Sequence, residues 1–134
     1  MQTGESARVQ AVVKRMLDAI DHGEAGVLEG LWEAECSMFF PFLNSPRLAR
    51  GRAAVLERFT TLFRKFQTAG KSKPYFGFQL QEMHVELLGD AALCTLSYSL
   101  RGVLARRSFV LVRSGGDWRI KHVHGSNSQL EAVA

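Results

Sequence analysis

The sequence has few of the residues that would support a disulfide-stabilised or membrane-embedded structure. Its 134 residues include 2 cysteines and 3 prolines, and no stretch approaches the roughly 18 consecutive apolar residues of a membrane span. Two cysteines cannot build the disulfide framework of a small secreted domain. The N-terminus also lacks the basic and apolar segments of a secretory signal. We therefore expect a cytoplasmic protein in a reducing compartment.

Composition and length indicate one ordinary globular domain. Hydrophobic residues make up 46% of the chain and charged residues 22%, which excludes a disordered chain. A chain of 134 residues is long enough to bury its own hydrophobic core. We therefore expect a single domain over residues 1–134.

Positive charge is concentrated in the middle of the chain. Residues 47–73 carry eight basic side chains and one acidic side chain, whereas residues 1–46 carry three and seven. Such a block can mark a nucleic-acid or membrane-surface footprint. It has no aromatic residues interleaved on strands, which favours a solvated helix face. We therefore expect no nucleic acid and no membrane among the partners.

Apolar spacing predicts three helices and five strands. The helices cover residues 6–21, a short segment with Ala25, Leu28, Leu31 and Trp32 on one side, and residues 52–67. The strands are expected at residues 36–43, 75–88, 91–100, 106–113 and 118–123, and Pro41 favours an edge position for the first of them. A parity change of the apolar positions near Gln81 and Glu82 indicates a β-bulge.

These elements predict an α+β fold. Three N-terminal helices pack on a strongly curved antiparallel sheet, which forms a cone with an interior pocket. The bulge in the second predicted strand would help to bend the sheet.

The C-terminal segment resembles the last hairpin of SnoaL-like domains in the nuclear transport factor 2-like superfamily. It has a hydrophobic strand, a Gly-containing turn and then the pattern Trp118-x-Ile-x-His-x-His-x-Ser126. Residues 50–63 and 88–92 are similar to the third helix and central hairpin of that family, so the resemblance covers essentially the whole chain. It implies a cone-shaped fold, often dimeric through the outer sheet face, that holds small hydrophobic or acidic molecules. The fold itself fixes no reaction.

Strand parity places His122 and His124 on one face with Trp118 and Ser126. Because the alternate positions of this strand are basic, we expect the two histidines to face the interior. There they could move protons, orient a ligand, or only hydrogen-bond to neighbouring groups. A metal site needs three or four ligands, and no cysteine lies nearby in sequence, so we predict no metal.

Other interior groups offer less chemistry. Tyr98 has the parity of the apolar face of its strand, so its phenol is expected to point inward, where it could hold an oxyanion or bind the backbone. Only Glu35, Glu82 and Glu86 could reach the cone, and the bulge could turn Glu82 inward. We predict ligand contacts from Trp32, Met38, Phe40, Phe78, Glu82, Tyr98, Trp118, His122, His124 and Ser126.

Two functions remain open at this point. The first is non-catalytic binding of a small, largely apolar or weakly acidic molecule in the cone. The second is an acid/base enzyme of the isomerase, dehydratase or cyclase type that needs no cofactor, with the two histidines moving protons and Tyr98 holding an oxyanion. In either case we expect a homodimer through the outer sheet face, around Thr95, Ser97, Val123 and either Phe109 or Val110.

Overall fold

The computed structural model describes residues 4–41 and 46–129. In chain order the elements are α1 (Gly4–His22), α2 (Ala25–Leu31), β1 (Trp32–Phe39), β2 (Ala49–Arg50), α3 (Arg52–Thr68), β3 (Gln79–Leu88), β4 (Ala91–Leu100), β5 (Val103–Ser114) and β6 (Asp117–Gln129). Three helices pack on one face of a single open sheet of six strands, which confirms the α+β fold. No helix in the described ranges is long and apolar enough to cross a membrane.

Helix α1 buries a continuous apolar stripe against the sheet. Val9, Val13, Met16 and Ile20 recur at helical spacing and are all buried. The helix stops at Gly23, which has a φ of +66°. A Cβ at this position would lie 3.1 Å from the ring of Tyr75, so both backbone conformation and close packing favour glycine.

The strands are arranged in the order β2-β1-β6-β5-β4-β3. All neighbours pair antiparallel except β1 and β6, which are parallel, so the sheet is mixed rather than antiparallel throughout as predicted. The prediction of an edge strand at residues 36–43 is wrong, because β1 lies between β2 and β6 and ends at Phe39, before Pro41. Residues 42–43 of the predicted strand lie outside the described residues. Trp32, predicted on the apolar side of the second helix, instead begins β1.

Strand β4 has the predicted bounds, and the predicted bulge in β3 is confirmed by a register shift between Leu80 and Glu82. Strand β3 begins at Gln79 rather than at Tyr75. The backbone N–H groups of residues 76–78 donate hydrogen bonds to the Asp21 carboxylate and are therefore not available for a strand ladder.

A second bulge changes the orientation of β6. Leu111 pairs with Ile120, but Val110 pairs with His122, so Lys121 is an extra residue in the ladder. Beyond this bulge Val123 is buried on the helix-covered face. The prediction that His122, His124 and Ser126 face the interior is therefore wrong, since one extra residue moves every later side chain to the opposite face.

Candidate ligand-binding cavity

A cavity of about 130 Å³ lies between the helices and the inner face of the sheet. Its volume is close to that of the roughly 150 Å³ apolar cavity that accepts benzene in an engineered protein. The wall consists mainly of apolar side chains from α1, α3, β1 and the sheet strands: Met16, Leu17, Ile20, Met38, Phe40, Pro41, Phe59, Leu62, Phe76, Phe78, Leu100, Val103, Phe109 and Val123. The space therefore suits a small apolar body.

Three polar side chains lie at one end of this cavity: Tyr98, Arg107 and Asn127. The sheet register brings them together, because Tyr98 on β4 pairs with Ala105, and Ala105 pairs with Asn127 on β6. The guanidinium carbon of Arg107 lies 5.1 Å from the centroid of the Tyr98 ring. We call these three residues the polar end of the cavity.

The Arg107 side chain is held by groups on β5 and β6. Its Nη1 donates to the backbone oxygen of Arg106 at 2.8 Å, to that of Ser126 at 2.9 Å and to Asn127 Oδ1 at 3.1 Å. Arg107 also pairs with Gly125, where an added Cβ would lie 3.0 Å from both Cδ and Nε of the arginine. The side chain of Arg107 therefore passes over the bare backbone of Gly125.

Burial and the charge of Arg107 shift the pKa of Tyr98 in opposite directions at the polar end. Burial raises the pKa of the Tyr98 phenol, while the nearby positive charge of Arg107 partly offsets this rise. Burial also lowers the pKa of Arg107, although an arginine keeps its proton in proteins. At neutral pH the polar end thus presents a neutral phenol beside a cation.

Asp21 holds the wall of aromatic rings beside the polar end. It is 8% exposed, and its carboxylate accepts hydrogen bonds from the N–H groups of Phe76 at 2.8 Å, Gly77 at 3.1 Å and Phe78 at 3.3 Å. The rings of Phe76 and Phe78 stack with centroids 5.1 Å apart, and both line the cavity. This carboxylate fixes the loop, and its oxygens already accept hydrogen bonds from three backbone N–H groups.

The C-terminal histidines lie on the outer face of the sheet. His122 is half-buried, and its Nδ1 is 2.8 Å from Ser37 Oγ on β1. His124 is exposed, and both imidazoles flank the ring of Phe39, with centroid distances of 6.3 and 5.5 Å. Neither histidine lines the cavity.

The structure divides the predicted site residues into two groups. Met38, Phe40, Phe78 and Tyr98 lie in the cavity wall, and for Tyr98 this agrees with the orientation expected from its parity. The others lie elsewhere: Trp32 and Trp118 are buried outside the cavity wall, and Glu82, His122, His124 and Ser126 lie on the outer face. Glu82 is exposed because it pairs with Ser97 on the outer face after the bulge.

The SnoaL-like domain family matches residues 9–129 of the chain. The chain belongs to the SnoaL-like domain family. No protein of curated function matches it.

Solved structures share the fold of this SnoaL-like domain. An NTF2-like protein of unknown function from Pseudomonas putida is 17% identical, with a TM-score of 0.76 over 94% of this chain and 88% of that chain. A protein with a cystatin-like fold from Caulobacter vibrioides is 15% identical, with a TM-score of 0.76 over 96% and 92%. The S. rosetta CaMKII hub is 18% identical, with a TM-score of 0.73 over 96% and 100%. At these identities the similarity establishes the fold.

Three candidate functional residues of this SnoaL-like domain were not predicted from the sequence. Arg107 has the parity of Phe109 and Leu111, so alternation along β5 could have placed it inside. Asp21 follows Leu17 by four residues on the buried stripe of α1, which is the signal for a carboxylate on an apolar face. Asn127 has no such local signal, because its orientation depends on the bulge in β6.

The two cysteines of this SnoaL-like domain are packing residues. Both thiols are free and buried, and burial raises the pKa of Cys94 to about 11. Burial also raises the pKa of Cys36. Within the described part of the chain, no group of three histidine, cysteine, aspartate or glutamate side chains could hold a metal ion.

Proposed function

We propose that this SnoaL-like domain binds a small, largely apolar or weakly acidic molecule in its cavity and catalyses no reaction on it. The observation that carries the proposal is the combination of a mainly apolar wall with a single polar end at Tyr98, Arg107 and Asn127. Ligand sites commonly have this composition, because the apolar wall supplies affinity and a few polar groups orient the ligand. The cavity volume of about 130 Å³ favours a ligand of roughly six to ten heavy atoms.

The enzyme alternative has less support from this geometry. Acid/base chemistry in the cavity requires a group that can accept a proton from the ligand. The described lining residues include no histidine, aspartate or glutamate, and the carboxylate of Asp21 is engaged by three backbone N–H groups. Tyr98 and Arg107 could polarise a ligand oxygen, but they would need a base from elsewhere.

Ligand binding can be tested by blocking the cavity from α3. Leu62 lines the cavity, whereas its neighbour Thr61 is exposed and points away from it. We expect indole to raise the melting temperature of the wild-type protein and of Thr61→Trp, but not of Leu62→Trp, in which the larger side chain fills the cavity. Native mass spectrometry of the purified protein should also detect a co-purifying small molecule.

The experiment has a clear opposite outcome. If indole stabilises Leu62→Trp as much as Thr61→Trp, it binds outside the cavity, and the proposed site is wrong. If indole and other small apolar probes stabilise none of the three proteins and no molecule co-purifies, the binding function is wrong.

We also propose a homodimer through the outer face of the sheet. No helix within the described residues covers this face, which mixes the polar side chains of Thr95 and Ser97 with apolar Val110 and with Phe39, which is 38% exposed. Phe109 and Val123, which we placed near this interface from the sequence, are buried on the opposite face and do not belong to it. Light scattering should give a mass about twice that of the 14.9 kDa chain.

The reducing cytoplasm is the compartment that we propose for this protein. The two thiols are free and buried, and free thiols are the usual state of cysteine in a reducing compartment. Fractionation of cells that express the protein at its native level should recover it with cytoplasmic markers. Recovery from an oxidising compartment would contradict the proposal.

A further inference from the structure

We infer that the ligand carries a carboxylate, which is bound by Arg107 at the polar end of the cavity. The ligand class is then a small apolar monocarboxylic acid, such as a benzoate-sized aromatic acid. This inference rests on the proposed ligand-binding function, and it specifies the head group that the function leaves open.

The hydrogen bonds of Arg107 leave donors available. Nη1 donates to the backbone oxygens of Arg106 and Ser126 and to Asn127 Oδ1, and the guanidinium also hydrogen-bonds with the Tyr98 side chain. The Nε and Nη2 groups carry the other N–H donors of the guanidinium, and the single hydrogen bond with the phenol does not use all of them. Two parallel N–H donors on a planar guanidinium match the two oxygens of a carboxylate.

The charge of Arg107 has no counterion in the described structure. Within residues 4–41 and 46–129 no carboxylate forms an ion pair with Arg107, in contrast to Arg8, His22 and Arg113. The buried carboxylate in this region, Asp21, accepts three backbone hydrogen bonds instead. A half-buried cation among apolar side chains loses hydration without gaining a charged partner. An anionic ligand would supply that partner.

The position of the guanidinium is set before any ligand arrives. The bare backbone of Gly125 leaves room for the Arg107 side chain, and Asn127 and two backbone oxygens fix its Nη1. A side chain that is already ordered loses less conformational freedom when a ligand binds. Gly125 is therefore a positioning residue for Arg107, although it does not line the cavity itself.

The apolar wall restricts the shape and size of the part of the ligand outside the carboxylate. Phe76 and Phe78 present stacked rings, and Phe78 contacts the Tyr98 ring edge-on with a centroid distance of 4.6 Å. A flat hydrocarbon body fits this lining, and the cavity volume of about 130 Å³ limits the whole ligand to roughly six to ten heavy atoms. Benzoate combines such a body with the inferred head group and is the probe of choice.

The test compares benzoate with its neutral analogue benzamide at neutral pH by isothermal titration calorimetry. We expect the wild-type protein to bind benzoate at least about tenfold more tightly than benzamide, because a hydrogen bond to a charged group contributes more than a neutral one. Arg107→Met should lose this preference, because benzoate loses a charged partner as well as hydrogen bonds, whereas benzamide loses hydrogen bonds only. Arg106→Met is the matched control, since Arg106 is exposed on the outer face, and it should bind both probes like the wild type.

Two further variants keep the test decisive if Arg107→Met does not fold. Arg107→Lys retains the charge but not the planar fork, so the preference for benzoate should fall without vanishing. Gly125→Ala should displace the guanidinium, since its Cβ would lie 3.0 Å from the arginine Cδ and Nε. It should therefore weaken benzoate more than benzamide, whereas a purely structural defect would weaken both equally.

The possible results separate the inference from the function on which it rests. Equal affinity of the wild-type protein for benzoate and benzamide, or an unchanged preference in Arg107→Met and Gly125→Ala, would overturn the inference and leave the ligand-binding function intact. If indole, benzamide and benzoate all fail to bind, the proposed binding function is wrong as well.

Discussion

The Asp21 carboxylate and the backbone N–H of Phe76 form a 2.8 Å hydrogen bond that joins the C-terminal turn of α1 to the loop before β3. The backbone oxygen of Asp21 also accepts a 2.8 Å hydrogen bond from the N–H of Tyr75. One residue of a helix thus anchors four consecutive residues of a loop, two of which line the cavity. The cavity wall therefore depends on this buried acid.

Replacement of Asp21 tests this dependence. We expect Asp21→Asn to lower the free energy of unfolding by about 1–3 kcal/mol, because the amide offers one acceptor oxygen where the carboxylate offers two and leaves buried N–H groups short of partners. Urea denaturation provides the measurement. Asp18→Asn, at an exposed position of the same helix, is the control and should change the stability by less than about 0.5 kcal/mol. Equal effects of the two variants would contradict the anchoring role.

Loss of the His122 imidazole should affect the outer face and leave the cavity unchanged. We expect His122→Ala to bind indole within about twofold of wild type, while losing about 0.5–1.5 kcal/mol of stability with the hydrogen bond to Ser37 Oγ. Calorimetric titration and urea denaturation measure the two effects. Leu62→Trp serves as the positive control for lost binding. A large loss of indole affinity in His122→Ala would mean that the outer-face histidine reaches the ligand.

Glu5 should make stability depend on pH in the acidic range. The Trp118 indole N–H, which donates to Glu5 Oε2 at 3.0 Å, is the main cause that lowers the pKa of this carboxyl below its ordinary value of 4.5, and Arg113 and Arg8 add to the effect. The unfolded chain therefore takes up the proton at a higher pH than the folded chain. The stabilisation by Glu5 is present above pH 4.5 and is lost as the pH falls through the lower folded value.

Thermal melting of Glu5→Gln and wild type between about pH 3 and pH 7 checks this sign. We expect the variant to melt at a lower temperature near pH 7 and the difference to shrink toward the acidic end. Glu29→Gln, at an exposed position on α2, is the control and should follow the wild-type pH profile. A difference between Glu5→Gln and wild type that stays constant with pH would contradict the prediction.

A charge on the outer face should prevent dimer formation. We expect Val110→Arg to convert the proposed homodimer to a monomer in light scattering, because two copies of the new charge would be brought close together at a symmetric interface. Arg106→Lys, at an exposed position on the same face, retains its charge and should keep the dimer. The indole affinity of Val110→Arg should stay close to that of wild type, since Val110 does not line the cavity. A variant that remains dimeric would place the interface elsewhere.

Local patterns in the sequence were sufficient for most single elements. The apolar spacing of Val9, Val13 and Met16 predicted α1, and alternation along β4 predicted both its bounds and the inward phenol of Tyr98. The apolar positions change from even to odd residue numbers near the start of β3, and this parity change predicted the bulge. One extra residue in the strand keeps the later apolar side chains on the same face as the earlier ones. These features depend on neighbours within a few residues of one another.

The orientation of β6 was decided by the tertiary structure. Its sequence permits two interior sets, one that continues from Ile120 to His122 and one that skips to Val123 through a bulge. Phe109 on β5 lies opposite Val123, and both side chains are buried, so the apolar neighbour selects the bulged register. His122 turns outward to Ser37, which lies 85 residues away in sequence and on a strand that pairs in parallel with β6. Periodicity indicates which residues share a face, but the contacts with distant strands decide which face is buried, because burial is a property of the packed layers.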